Sequence, residues 1–138
     1  MIGILVVTHG QFAEAIVKSA ELIIGEQKHY KTLGLIHGED IERFKEKVTN
    51  SIEELNDGDG VLIFVDFYGG SPFNAAAMSL NKLSEEINIE CIIGVNFCMI
   101  LESFLNREQL RLNELKEHCL NSGRESIKDL KEEFSLLD

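Results

Sequence analysis

His9 stands in the string "ILVVTHGQFAEAIVKSAELIIG" (4–25), where an apolar run stops and a helical pattern begins. Asp66 closes a second apolar run, "GVLIFVD" (60–66), and "YGGSPFN" (68–74) follows it closely. An Asp that accepts a hydrogen bond from one imidazole nitrogen fixes the ring's tautomer and orientation and leaves the other nitrogen with a free lone pair. That nitrogen is a nucleophile suited to phosphorus, because the carboxylate stabilises the positive charge the ring gains as it attacks. Gly69 and Gly70 let backbone N–H groups curl toward phosphoryl oxygens at a helix N-terminus, and Ser71 offers a hydroxyl. Thr8, next to the histidine, is a further candidate contact. Positioning and electrostatics supply most of the catalysis in phosphoryl transfer, so this set suits a transient phosphohistidine without nucleotide, cofactor or metal. Each residue alone has an ordinary explanation: a solvated loop histidine, a turn-capping aspartate, a loop before a helix. Their conjunction points to chemistry.

The conjunction requires a fold that gathers residues more than fifty positions apart. Four hydrophobic runs, at 2–7, 32–36, 60–66 and 90–95, alternate with helical patterns and read as βαβ units. "ILVV" and "LIFV" are apolar at consecutive positions, as in parallel strands covered on both faces. The expected architecture is α/β with a mostly parallel sheet. Phe12, Ile16, Ala20, Ile23 and Ile24 recur at helical spacing and predict a helix over 11–24, with Gly25 as its C-cap. Asp40 caps a second helix carrying Ile41, Phe44, Val48, Ile52 and Leu55, and Pro72, the only proline, opens a third near 72–83. Two more helices follow the fourth strand, broken near 106–109, and "SIKDL" (126–130) reads either as helix or as a short edge strand. Right-handed crossovers put the carboxyl ends of all four strands on one edge, where ligands of such sheets bind. His9 and Asp66 are neighbours there if strand 3 lies beside strand 1, and apart if strand 2 separates them.

A chain of 138 residues, 44% hydrophobic, has the size of one domain over 1–138 and enough core for it. Neither an apolar run near 20 residues nor a signal-like start is present, which places the protein in the cytoplasm. Cys91, Cys98 and Cys119 are odd in number and lack CxxC spacing, which suits reduced thiols. A net charge of −11 without a basic cluster argues against nucleic acid and is compatible with a basic protein partner or with solubility alone. His29, His37 and His118 read as solvated or satisfied residues, and adjacent His118 and Cys119 point apart on a helix rather than toward one metal.

The stretches "GILVVTHGQFAEAIVKSAELIIGEQ" (3–27), "GVLIFVDFYGGSPFNAAA" (60–77), "IIGVNFCMILE" (92–102) and "NSGRESIKDL" (121–130) resemble, in collinear order, the IIA domain of the mannose-family sugar phosphotransferase system. The resemblance implies a relay. A IIA protein takes a phosphoryl group from the histidine phosphocarrier protein HPr and gives it to a IIB partner, here expected on a separate chain. It implies His9 as the phosphorylated residue, through Nε2, Asp66 as the carboxylate orienting its ring, and Ser71 in the loop that holds the phosphoryl oxygens. It also implies a flavodoxin-like sheet of order 2-1-3-4, and a fifth, antiparallel edge strand at 126–130 exchanged between the subunits of a homodimer. Sugar choice is implied to lie mainly in IIB and in the membrane components IIC and IID.

Rival readings make different demands. The IIA-like subunit of a dihydroxyacetone kinase shares the N-terminal histidine but is not expected to carry "GGSPFN". A histidine phosphatase wants Arg before its histidine, where this chain has Thr8, and arginine clamps that Arg43, Arg107, Arg111 and Arg124 do not supply near the site in sequence. A flavodoxin-like binding module would use His9 only to hold its loop. Receiver and dinucleotide-binding domains lack support, since neither paired acids follow strand 1 nor GxGxxG any strand.

Overall fold

Four strands line up in the order 2-1-3-4 in a computed structural model that describes residues 1–135. They are β1 (Gly3–His9), β2 (Tyr30–Leu35), β3 (Val61–Val65) and β4 (Ile89–Ile93), and every pairing is parallel. β1 and β3 are apolar at successive positions because both of their faces are covered. Ile4, Val6, Leu62 and Phe64 pack under α1 (Phe12–Ile24), α4 (Phe97–Asn106) and α5 (Leu112–Glu125). Leu5, Val7, Ile63 and Val65 pack under α2 (Ile41–Leu55) and α3 (Ser71–Leu83). Strand 3 does lie beside strand 1, with Val65 in register with Val7. The chain leaves β1 toward β2 and leaves β3 toward β4, so the strand order reverses between β1 and β3, the place where a doubly wound sheet opens a crevice.

Local chemistry sets the element ends. Asp40 accepts from the Glu42 N–H at 3.0 Å and starts α2. Asn96 accepts from the Met99 N–H at 3.1 Å and starts α4. Gly25, at φ 87°, ends α1 by donating to the Glu21 carbonyl. The buried face of α1 is Ala13, Ile16, Val17 and Ala20, while Phe12 and Ile23 are exposed. Ile16 and Ala20 of the expected stripe are thus on the buried face, whereas Phe12 and Ile23 are not, and Ala13 and Val17 are buried in their place.

The expected fifth strand is not formed within this chain. Residues 127–129 have no regular structure and α6 (Leu130–Ser135) follows, started by Asp129, which accepts from the Lys131 and Glu132 N–H groups. A strand exchanged between subunits would find its ladder partner on a second copy, and a single chain offers the segment only local bonds. Among the described residues no helix is long and apolar enough to cross a membrane.

Candidate functional site

β1 ends at His9 and β3 ends one residue before Asp66, so the central pair of strands delivers imidazole and carboxylate to the same crevice. His9 Nδ1 lies 2.8 Å from Asp66 Oδ2. The same oxygen accepts from the His9 backbone N–H at 2.9 Å, and Oδ1 accepts from the Phe67 N–H at 3.0 Å. These bonds hold the carboxylate, which is 11% exposed, and with it the ring, which is 46% exposed. An ionised Asp66 accepts only, so Nδ1 carries the proton and Nε2 keeps its lone pair.

Gly70 sits against that nitrogen. A Cβ there would lie 3.3 Å from His9 Nε2 and 2.8 Å from Cε1, so only a glycine lets the backbone come this close without moving the ring. Gly69, at φ 97°, turns the chain, and Gly70 is the N-cap of α3. Ser71 opens the helix, and Pro72 removes a donor from its first turn without removing an intrahelical bond. The free N–H groups at this end favour an anion. Phe67 flanks the histidine, with ring centroids 5.5 Å apart.

Thr8 is placed differently from the other candidates. It is fully buried, its hydroxyl accepts from the Ala13 N–H at 2.9 Å and donates to the His9 carbonyl at 3.1 Å. It therefore satisfies a first-turn donor of α1, whose N-cap residue Gln11 makes no side-chain bond.

Three further features were not read from the sequence. Gly34 in β2 allows the loop after His9 to close down: a Cβ there would meet the Gly10 carbonyl oxygen at 1.8 Å. A glycine inside a strand pattern is the available signal of such an approach. Arg107 is buried and donates to the carbonyls of Ile2, Lys28 and His29, with its guanidinium 5.0 Å from the Phe104 ring centroid and its pKa lowered by desolvation. It ties β1's N-terminal end to the loop entering β2. His37 lines a cleft together with His9, which its place in the sequence did not signal.

The other two histidines divide. His118 Nε2 bonds Glu102 at 2.7 Å, while His29, at φ 56°, has no hydrogen-bond partner for Nε2 among the described residues and lies 3.7 Å from Asp57 Oδ2. All three cysteines are free, and burial pushes the Cys91 and Cys119 thiols up to about 12. Among the described residues no group of three or more His, Cys, Asp or Glu is placed to hold a metal ion.

Comparisons with known proteins place the chain in a family. The sequence profile of the family described as "PTS system fructose IIA component" matches residues 3–120. The chain is 37% identical over 131 residues to the "PTS system mannose-specific EIIAB component" of Escherichia coli, covering 94% of this chain and 40% of that protein. It thus spans well under half of that relative's length. It is 30% identical over 127 residues to the "PTS system fructose-specific EIIA component" of Bacillus subtilis, covering 92% of this chain and 85% of that one. A crystal structure of phosphotransferase system component EIIA from Streptococcus agalactiae superposes with a TM-score of 0.87 at 27% identity, covering 95% of this chain and 98% of that one. A kinase subunit or phosphatase is not favoured beside these matches. The chain belongs to the mannose- and fructose-type IIA family of the sugar phosphotransferase system, a family of phosphoryl-relay phosphotransferases.

Proposed function

We propose that His9 is the relay residue, that it accepts a phosphoryl group on Nε2 from phospho-HPr, and that it passes the group to a IIB component. The observation that carries this reading is the 2.8 Å contact between His9 Nδ1 and Asp66 Oδ2, which leaves Nε2 as the free nucleophile beside Gly70. In the accepting step the P–N bond of the donor phosphohistidine breaks as the Nε2–P bond forms. The donor imidazole leaves with the electron pair of the broken P–N bond and keeps the proton on its other nitrogen, and the His9 ring keeps its Nδ1 proton, which it donates to Asp66. The charge that the ring gains is offset by that carboxylate, and the N–H groups at the start of α3, with the Ser71 hydroxyl, take the phosphoryl oxygens. Gly69 and Gly70 shape the loop that aims them. Thr8 acts one step back, through the bonds that fix His9's backbone and the start of α1, rather than by touching the phosphoryl group.

The relay is read as cytoplasmic, with the membrane components IIC and IID downstream of IIB, and residues 1–138 as one IIA domain. A homodimer is supported by what the single chain leaves open. The outer edge of β4 has no strand among the described residues, and Ile93, Ile127, Leu130 and Phe134 are exposed. A small apolar groove of about 190 Å³ between α3 and β4, lined by Phe73, Ala76, Leu80 and Ile93, is suited to apolar side chains of a second copy.

Phosphorus NMR of phospho-HPr mixed with the chain tests the relay. The expected result is loss of the donor resonance and growth of an Nε2-phosphohistidine resonance, absent with His9→Gln. Phosphorylation that survives His9→Gln overturns the assignment.

A further inference from the structure

A phosphoryl group on His9 would have three terminal oxygens, and the start of α3, which follows β3 in the chain, sets Gly70 against Nε2 and Cε1 of the ring. β2 lies on the opposite side of β1 from β3. Parallel pairing sets Leu35 beside His9, and the Gly10 N–H donates to the Leu35 carbonyl at 2.8 Å, so the chain leaving β2 emerges next to the histidine. Two residues on stands His37. It shares with His9 a cleft of about 400 Å³ whose wall includes Leu35, Ile36, Glu39 and Ile41. Neither Lys nor Arg is among the residues lining this cleft.

We propose that His37 is a second phosphoryl-contacting residue, whose imidazole donates a hydrogen bond to the terminal oxygen turned toward β2 while the group sits on His9. The inference rests on His9 being the phosphorylated residue. It assigns to His37 the cationic contact that the α3 end does not supply, since that end offers only neutral N–H and hydroxyl donors. The surrounding charges are suited to it. Glu39, the acid among the residues lining the cleft, is held by Lys47 Nζ at 2.7 Å and by the Ile36 N–H, and these bonds keep its carboxyl below the usual range. It is therefore already engaged and does not compete for the imidazole. Arg43 adds positive potential at Glu39 from the start of α2, and Asp66 is occupied on the far side of the His9 ring. The turn that presents His37 is fixed by Gly38 at φ 83° and by the bond that the Ile36 N–H donates to the Glu39 carboxylate, so the ring is carried on an anchored support.

The test follows His37 by side-chain NMR through a pH titration, first in the unmodified protein and then after phosphorylation by phospho-HPr. A neighbouring dianion favours the imidazolium, so the His37 titration is expected to move to higher pH on phosphorylation. In parallel, His37→Ala is expected to slow transfer roughly tenfold, the worth of one charge-assisted bond, and His37→Lys to restore most of it. Uptake of phosphoryl with an unchanged His37 titration overturns this assignment and leaves the relay standing. A wild-type chain that takes up no phosphoryl group from phosphorylated HPr overturns the relay and this inference with it.

Discussion

At the scale of single residues, the site depends on one carboxylate bonded to both the ring and the backbone of one histidine. Asp66→Asn keeps the volume but presents an NH₂ to Nδ1, which favours the tautomer with its proton on Nε2. Transfer is expected to fall by roughly 10²-fold with the circular dichroism spectrum unchanged, and an unaltered rate would leave Asp66 without its role. Gly70→Ala places a Cβ 2.8 Å from His9 Cε1. The exposed ring moves to relieve it, so slower phosphoryl transfer with wild-type urea stability is expected; wild-type transfer would show that the close approach does not matter. The pairing of His9 with Asp66 was legible because a histidine and an aspartate each closed an apolar run. The place of Thr8 was not, because sequence adjacency says nothing about which way a side chain faces at the end of a strand.

At the scale of elements, buried polar groups join the loop after His9 to the scaffold. Thr8→Val leaves the Ala13 N–H buried and unpaired at the start of α1, with an expected loss of about 1–2 kcal/mol in urea unfolding. Transfer should decline less than with Asp66→Asn, since the ring keeps its carboxylate; full stability would show that water or another acceptor replaces the hydroxyl. Strands β1 and β3 were readable as consecutive apolar runs, and α2 as an Asp-capped stripe ending in Leu55. The face of α1 was legible in part: Ile16 and Ala20 are buried as expected, but Phe12 and Ile23 face out, and Ala13, too small to mark a stripe, is fully buried. Gly34 carries the same lesson for strands, since its value lies in the atom it lacks beneath the Gly10 carbonyl.

At the scale of the whole molecule, the order 2-1-3-4 is what makes a site out of two distant histidine and aspartate positions. The residues alone left open whether strand 2 lay between them, and only the resemblance to a known family supplied the order. The C-terminal segment shows the opposite limit. Its sequence fits both a strand paired with another copy and a short helix capped by Asp129, and the single chain takes the helix because that needs only local bonds. A chain with this segment exchanged should sediment as a dimer, and the double substitution Ile127→Asp, Phe134→Asp should give a folded monomer. A wild type that stays monomeric as its concentration is raised would remove the homodimer.

The most direct test of the relay is an intact-mass spectrum after incubation with phosphoenolpyruvate, Enzyme I and HPr. A single acid-labile phosphoryl adduct on the wild type, absent from His9→Gln, is the expected result. No adduct while HPr itself is phosphorylated, or an adduct that His9→Gln retains, would contradict it.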